Sequence, residues 1–235
     1  NLALIKNIIK ESFFLWLSFI GFLIYTQTDT IMLGSMFGNK EVGVYSIAVN
    51  LMQVLAILIA PIQVSIFPKM LELYKKNYEE YHNFYFNINL IITQVYLFLS
   101  VLSIIVVNIL FLRIFSIEYI LAIPTYSILT ISVFFRANGA LQTGHVTIKK
   151  ITKKIFYKTF TGIVINIILN YIFINMYGVI GAALSTSVTH FFTLFIMDFF
   201  IEEYREQAWI QLKSLNPFYL KYALRSMKTG VKKRK

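Results

Sequence analysis

The sequence predicts an all-α, polytopic membrane protein built as a bundle of six transmembrane helices, and three observations carry that reading. Hydrophobic residues make up 57% of the 235 and charged ones only 14%, against roughly 45–50% and about 25% in soluble domains. Six apolar segments are each long enough to cross about 30 Å of hydrocarbon, which takes roughly 20 residues. Lys and Arg gather on alternate loops. A membrane barrel would show segments of about 10 residues with strict alternation, whereas these are apolar on every face.

The first segment, Ser12 to Phe37, ends at the short loop Gly38 to Gly43. The second, Val44 to Phe67, contains Pro61, which would kink it or free a carbonyl. The stretch Lys69 to Tyr85 balances three Lys with Glu72, Glu79 and Glu80 and reads as a solvated helical extension. The third segment, Phe86 to Phe111, is followed by Leu112 to Glu118, and the fourth, Tyr119 to Thr143, contains Pro124 with the same expectation of a kink. The fifth, Ile155 to Met176, meets the sixth, Val179 to Ile201, across Tyr177 and Gly178. On that last helix Gly181 and Ser185, like Gly178 and Ala182, form small-xxx-small surfaces for close helix contact. The tail from Glu202 mixes Trp209, Leu212 and Phe218 with bases. It reads either as an interfacial helix on anionic lipid or as a frayed basic end.

Orientation follows from charge. Of the 22 Lys and Arg, 19 lie before the first segment, after the second, after the fourth or in the tail; Lys40 and Arg113 lie on the other side, and Arg136 is inside a segment. The positive-inside rule then places both termini in the cytoplasm of a cell-membrane protein. The net charge of +11 is thereby assigned to the membrane surface rather than to nucleic acid. The chain starts at Asn1 and is expected to be a piece of a longer protein. Cysteines are absent, which rules out disulfides and thiolate metal sites.

Ionisable groups at membrane depth are the sharpest functional signals, since each costs at least ~2.5–3.5 kcal/mol to insert. Asp29 and Arg136 qualify, each about 12 Å from its segment's nearer end. Two readings stand: they neutralise each other as an ion pair, or Arg136 meets an anionic group of a substrate while Asp29 tunes the cavity or binds a coupling cation such as H+ or Na+. No other cofactor and no metal site is expected. Polar stripes surround them: Ser46, Asn50 and Gln53; Asn87 and Gln94; Gly139 and Thr143; Thr159, Gly162, Asn166 and Asn170. Several stripes in one bundle suit a hydrated cavity of the kind sugars require. His190 reads as a packed or interfacial imidazole, and Asp198 as a headgroup-level carboxylate. Catalytic motifs are missing, so no enzyme is expected.

The stretch Thr28-Asp29-Thr30-Ile31-Met32-Leu33-Gly34, followed by Phe37-Gly38-Asn39-Lys40-Glu41-Val42-Gly43-Val44-Tyr45-Ser46-Ile47-Ala48, resembles the opening of a six-helix half in the polysaccharide flippases of the multidrug/oligosaccharidyl-lipid/polysaccharide exporter superfamily. Tyr177 to Thr186 resembles that family's entry into the last helix of a half. The resemblance covers Glu11 to Ile201. It implies one half, the C-terminal one, of an exporter with twelve or more helices around a central cavity. It implies partners too: the N-terminal half of the same protein, the bilayer, a polyprenyl-diphosphate-linked oligosaccharide and polysaccharide assembly proteins. The implied activity is flipping that lipid between leaflets by alternating access, with Arg136 at the diphosphate or acidic sugars. Only one membrane-embedded base is visible, so a strongly cationic lumen is not expected in this half. A cation-coupled multidrug exporter is the rival of the same fold, and Arg136 argues against its cationic substrates. A membrane enzyme of polysaccharide assembly would want a large outer loop, which is missing. A scaffold without transport is the remaining alternative.

Overall fold

The computed structural model describes residues 2–220, with the side chains of residues 2–8, 10, 11, 14, 15, 22 and 152 left aside; the basic run of residues 221–235 lies outside the described residues. Each apolar segment is helical. The helices are α1 (Leu2–Phe37), α2 (Asn39–Ala56), α3 (Ile59–Lys76), α4 (Tyr78–Ile114), α5 (Ala122–Ile148), α6 (Thr152–Tyr177), α7 (Val179–Phe191), α8 (Met197–Phe200) and α9 (Glu202–Ser214). No strand occurs among the described residues. Four stretches there, Asn39–Lys76, Tyr78–Ile114, Lys153–Tyr177 and Val179–Phe200, are long and apolar enough to cross a membrane. Large apolar side chains such as Val64, Phe98, Ile109 and Ile114 point outward, as lipid contact requires.

The second segment is not one helix. Pro61 cannot donate to the carbonyl four residues back, at Ile57, so the chain breaks at Ile57 and Leu58 and restarts as α3. Pro124 behaves differently from expectation. It lies in the first turn of α5, where a missing N–H is tolerated, and it bends nothing. Asn77 separates α3 from α4 and caps the latter, its side chain accepting from the Glu79 N–H at 2.9 Å. The sixth segment continues from α7 through a π turn, Phe192–Ile196, into α8.

Helix α5 is the hub, packed against α2, α3, α4 and α7 through Tyr126, Leu129, Val133, Ala137 and Leu141, all buried. Helix α1 lies along α6, and α6 along α7. Gly178 adopts a left-handed φ of 58° to turn α6 into α7. Three residues on, a Cβ at Gly181 would sit 1.9 Å from the Phe173 carbonyl oxygen, so the close approach of these two helices excludes any side chain there.

The described part of the tail is neither frayed nor lipid-bound on its inward face. Helix α9 docks across the end of the bundle that carries the basic loops, packed on α4 and α8, with Tyr204, Gln207, Ala208, Gln211 and Ser214 buried at helical spacing. Trp209 and Leu212 remain on an exposed edge.

Candidate functional site

Two buried polar regions occupy different levels of the bundle. The first surrounds Asp29, toward the end opposite the basic loops. Its carboxylate accepts from the Tyr45 hydroxyl on α2 at 2.6 Å, from the Asn170 amide on α6 at 2.5 Å and from the Thr186 hydroxyl on α7. Asn170 also donates to Asn166 Oδ1 at 3.0 Å and accepts from Ser185. Asp29, Asn166, Asn170 and Ser185 are buried. A carboxylate with donors from three other helices is fully satisfied where an unpaired charge would be expensive.

The second region is a cavity of about 550 Å³ between α1, α3, α5, α6 and α7, bounded by Phe19, Tyr25, Ile59, Gln63, Arg136, Thr143, Lys158, Thr159, Thr189, His190 and Tyr204. That volume lies within the usual ~300–1,000 Å³ of ligand sites. Helix α1 packs on α2 but makes no comparable contact with α3, and the cavity lies where these two helices part. Arg136 is under-satisfied there: Nη1 reaches the Met52 sulfur at 3.5 Å, a weak acceptor. Among the described residues the buried Tyr25 hydroxyl, Thr189 hydroxyl and His190 Nδ1 find no hydrogen-bond partner, and all three residues line the same space. The His190 and Tyr25 rings meet edge to face, their centroids 5.4 Å apart.

At the basic end of the cavity lies a third group. Lys158 Nζ donates to Asp198 Oδ1 and, at 2.7 Å, to Gln142 Oε1; Gln142 Nε2 donates to Asp198 Oδ2 at 2.5 Å. The ammonium stands 4.5 Å from the centroid of the Tyr204 ring, whose phenol is pushed up by burial and stays neutral. Alongside, Tyr81 O–H donates to His145 Nδ1. With the Gln207 amide oxygen turned to accept from His145 Nε2–H at 2.7 Å, its NH₂ donates to the Glu203 and Tyr204 carbonyls. These bonds tie α9 to α4 and α5.

Several expectations change. Asp29 and Arg136 are not paired: Asp29 lies about 12 Å from the end opposite the basic loops and Arg136 about 21 Å along α5 from that end, and the Asp29 oxygens are already taken. Of the predicted cavity residues, Arg136 lines the cavity. Asn166 and Asn170 serve Asp29 instead, so the α6 stripe divides, Thr159 and Gly162 lining the cavity and the two asparagines the other cluster. Asn50 and Gln53 are exposed on α2. Gln94 donates to the Ser214 and Leu215 carbonyls at 2.7 and 3.3 Å, closing the end of α9 rather than lining the cavity. Asp198, near the basic end of the span Val179–Phe200, is wholly buried by protein. Lys158 is no loop lysine but a second embedded base, correcting the expectation of one. Its signal was present in the sequence: Lys158, Gly162, Asn166 and Asn170 recur every four residues along one helical face. Tyr25, Tyr45 and Thr186 had no such signal, because a hydroxyl in an apolar helix reads equally as packing.

Residues 1–74 match the family described as "Polysaccharide biosynthesis protein". The chain is 23% identical over 219 residues to an uncharacterized membrane protein of Methanocaldococcus jannaschii, a match that covers 89% of this chain and 42% of that protein. The chain therefore spans about two fifths of the length of that relative. No solved structure matches it. The chain is a helical membrane protein whose first third carries the pattern of polysaccharide biosynthesis proteins.

Proposed function

We propose that this chain is the C-terminal half of a flippase that moves a polyprenyl-diphosphate-linked oligosaccharide from the inner to the outer leaflet of the cytoplasmic membrane for surface polysaccharide synthesis. The observation that carries the reading is Arg136, a guanidinium facing a 550 Å³ cavity whose one hydrogen-bond partner among the described residues is a sulfur. A planar fork of donors suits phosphate or carboxylate oxygens, and the Tyr25, Thr189 and His190 groups beside it supply donors and acceptors for sugar hydroxyls. Helix entry, turn and exit leave only short loops at the end opposite the basic loops, which favours transport over an assembly enzyme. The polysaccharide pattern of residues 1–74 agrees with this substrate class.

Asp29 then has the coupling role. Its cluster offers carboxylate, hydroxyl and amide oxygens from four helices, a donor set suited to H+ or Na+. With the basic loops cytoplasmic, the cavity lies nearer the inner face and the Asp29 cluster nearer the outer. The multidrug exporter is disfavoured by two cations, Arg136 and Lys158, on the cavity wall.

The test uses cells that lack the full-length gene. Lipid-linked oligosaccharide should accumulate in a pool that an external glycosidase cannot reach. Wild-type protein should relieve it and Arg136→Ala at equal membrane abundance should not. Normal export by Arg136→Ala would overturn the assignment.

A further inference from the structure

The Lys158–Asp198 pair is not a simple structural bridge, because its two members face different surroundings. Lys158 and Gln142 line the cavity; Asp198, with none of its surface exposed, lies behind them. The ammonium has three protons. Two go to Asp198 and Gln142, and the remaining face of the group is turned to the Tyr204 ring. Gln142, six residues beyond Arg136 on α5, sets the pair about 9 Å further toward the basic end. The cavity is thus lined by two cations, one on α5 without an oxygen partner and one on α6 held by an internal carboxylate.

We propose that Lys158 is a second substrate-binding cation and that Asp198 is its resident ligand, displaced when an anionic group of the substrate enters. The proposal rests on the reading of the cavity as the site of a lipid-linked diphosphate. The exchange is one of partners, with no bond made or broken: the ammonium turns from the buried carboxylate to the incoming oxygens, and Gln142 Nε2 continues to hold Asp198. The move also withdraws the cation from Tyr204, and with it one of the contacts fastening α9 over this end of the bundle. Occupancy of the cavity is thereby linked to release of α9. A buried pair kept only for stability would gain nothing from placing its lysine on a cavity wall, since replacing such a pair by apolar residues is often neutral or stabilising.

The two partners should respond with opposite sign. Using the purified full-length protein in detergent, binding of farnesyl diphosphate is measured against farnesol and inorganic pyrophosphate, which separate the lipid-linked diphosphate from tail or free phosphate alone. Asp198→Asn removes the competitor and should tighten binding; Lys158→Met removes the cation and should weaken it. About tenfold each way corresponds to ~1.4 kcal/mol. Equal losses in both variants, or no change in either, would overturn the exchange while leaving the flippase reading intact. Failure of the wild-type protein to bind would instead remove the reading on which it rests. Should the single variants not fold, hydrogen exchange on the wild-type protein decides. The amides of Glu202–Ser214 should exchange faster when farnesyl diphosphate is added, and unchanged protection would overturn the proposal. The double variant Lys158→Met/Asp198→Leu should fold and show no such response.

Discussion

Asp29, buried, and Arg136, part-buried, are charges of one helical bundle, yet their surroundings differ in kind. Every oxygen of Asp29 has a donor, drawn from α2, α6 and α7. Arg136 has five N–H donors and reaches one sulfur, beside three further polar atoms with no partner. Folding therefore completes the contacts of the Asp29 carboxylate, although Asn166 Nδ2 beside it has no partner among the described residues, and leaves those of the guanidinium incomplete. A satisfied carboxylate holds helices in register, while unmet polar groups around a half-open cavity are available to a ligand. Loss of Asp29 should accordingly cost stability as well as coupling, whereas loss of Arg136 should cost transport alone.

The largest expected loss of stability is at Asp29. Asp29→Ala would strand the Tyr45 hydroxyl, the Asn170 amide and the Thr186 hydroxyl together, at about 1–3 kcal/mol for each buried donor left unpaired. A thermal melt of the full-length protein in detergent measures it, with Asp29→Asn expected to lose less because it keeps the shape and an acceptor. A variant as stable as wild type would dissolve the contrast. Arg136→Met should move the other way, neutral or stabilising by about 1 kcal/mol, because it replaces a charge lacking an oxygen partner with an apolar chain of similar length. Its cost should appear only in export. Destabilisation on the scale of Asp29→Ala would mean that Arg136 holds the bundle together after all.

How much of this was legible in the sequence follows the same division. Apolar length and Lys/Arg placement announced the helices, since the membrane imposes both directly. The break at Ile57 was half visible: Pro61 pointed to a freed carbonyl, but only packing turned a kink into two helices. Asp29 and Arg136 stood out because charge is costly at that depth. Of their two readings the ion pair fell, because depth from a helix end says little about which neighbour a side chain meets. Lys158 was hidden in a run of five lysines, Lys149, Lys150, Lys153, Lys154 and Lys158, in which only the last lies on the inward face of α6. Asp198 gave no sign of what it pairs with. Its partner comes from 40 residues away, a pairing that periodicity along a single helix does not encode.

The smallest expected effect lies on α2, where Asn50 and Gln53, three residues apart, share an exposed face turned away from buried Val44 and Tyr45. Neither is tied into the Asp29 network or the cavity wall. Asn50→Ala and Gln53→Ala should each change stability by less than about 0.5 kcal/mol, as exposed substitutions do, in the same melt that resolves Asp29→Ala. Amides on an exposed face at membrane depth are nonetheless costly against lipid, at several kcal/mol when unsatisfied. If the full-length protein loses more than 1 kcal/mol with either change, that face is covered by another part of the protein, and the division into a completed site and an open one extends to a third region.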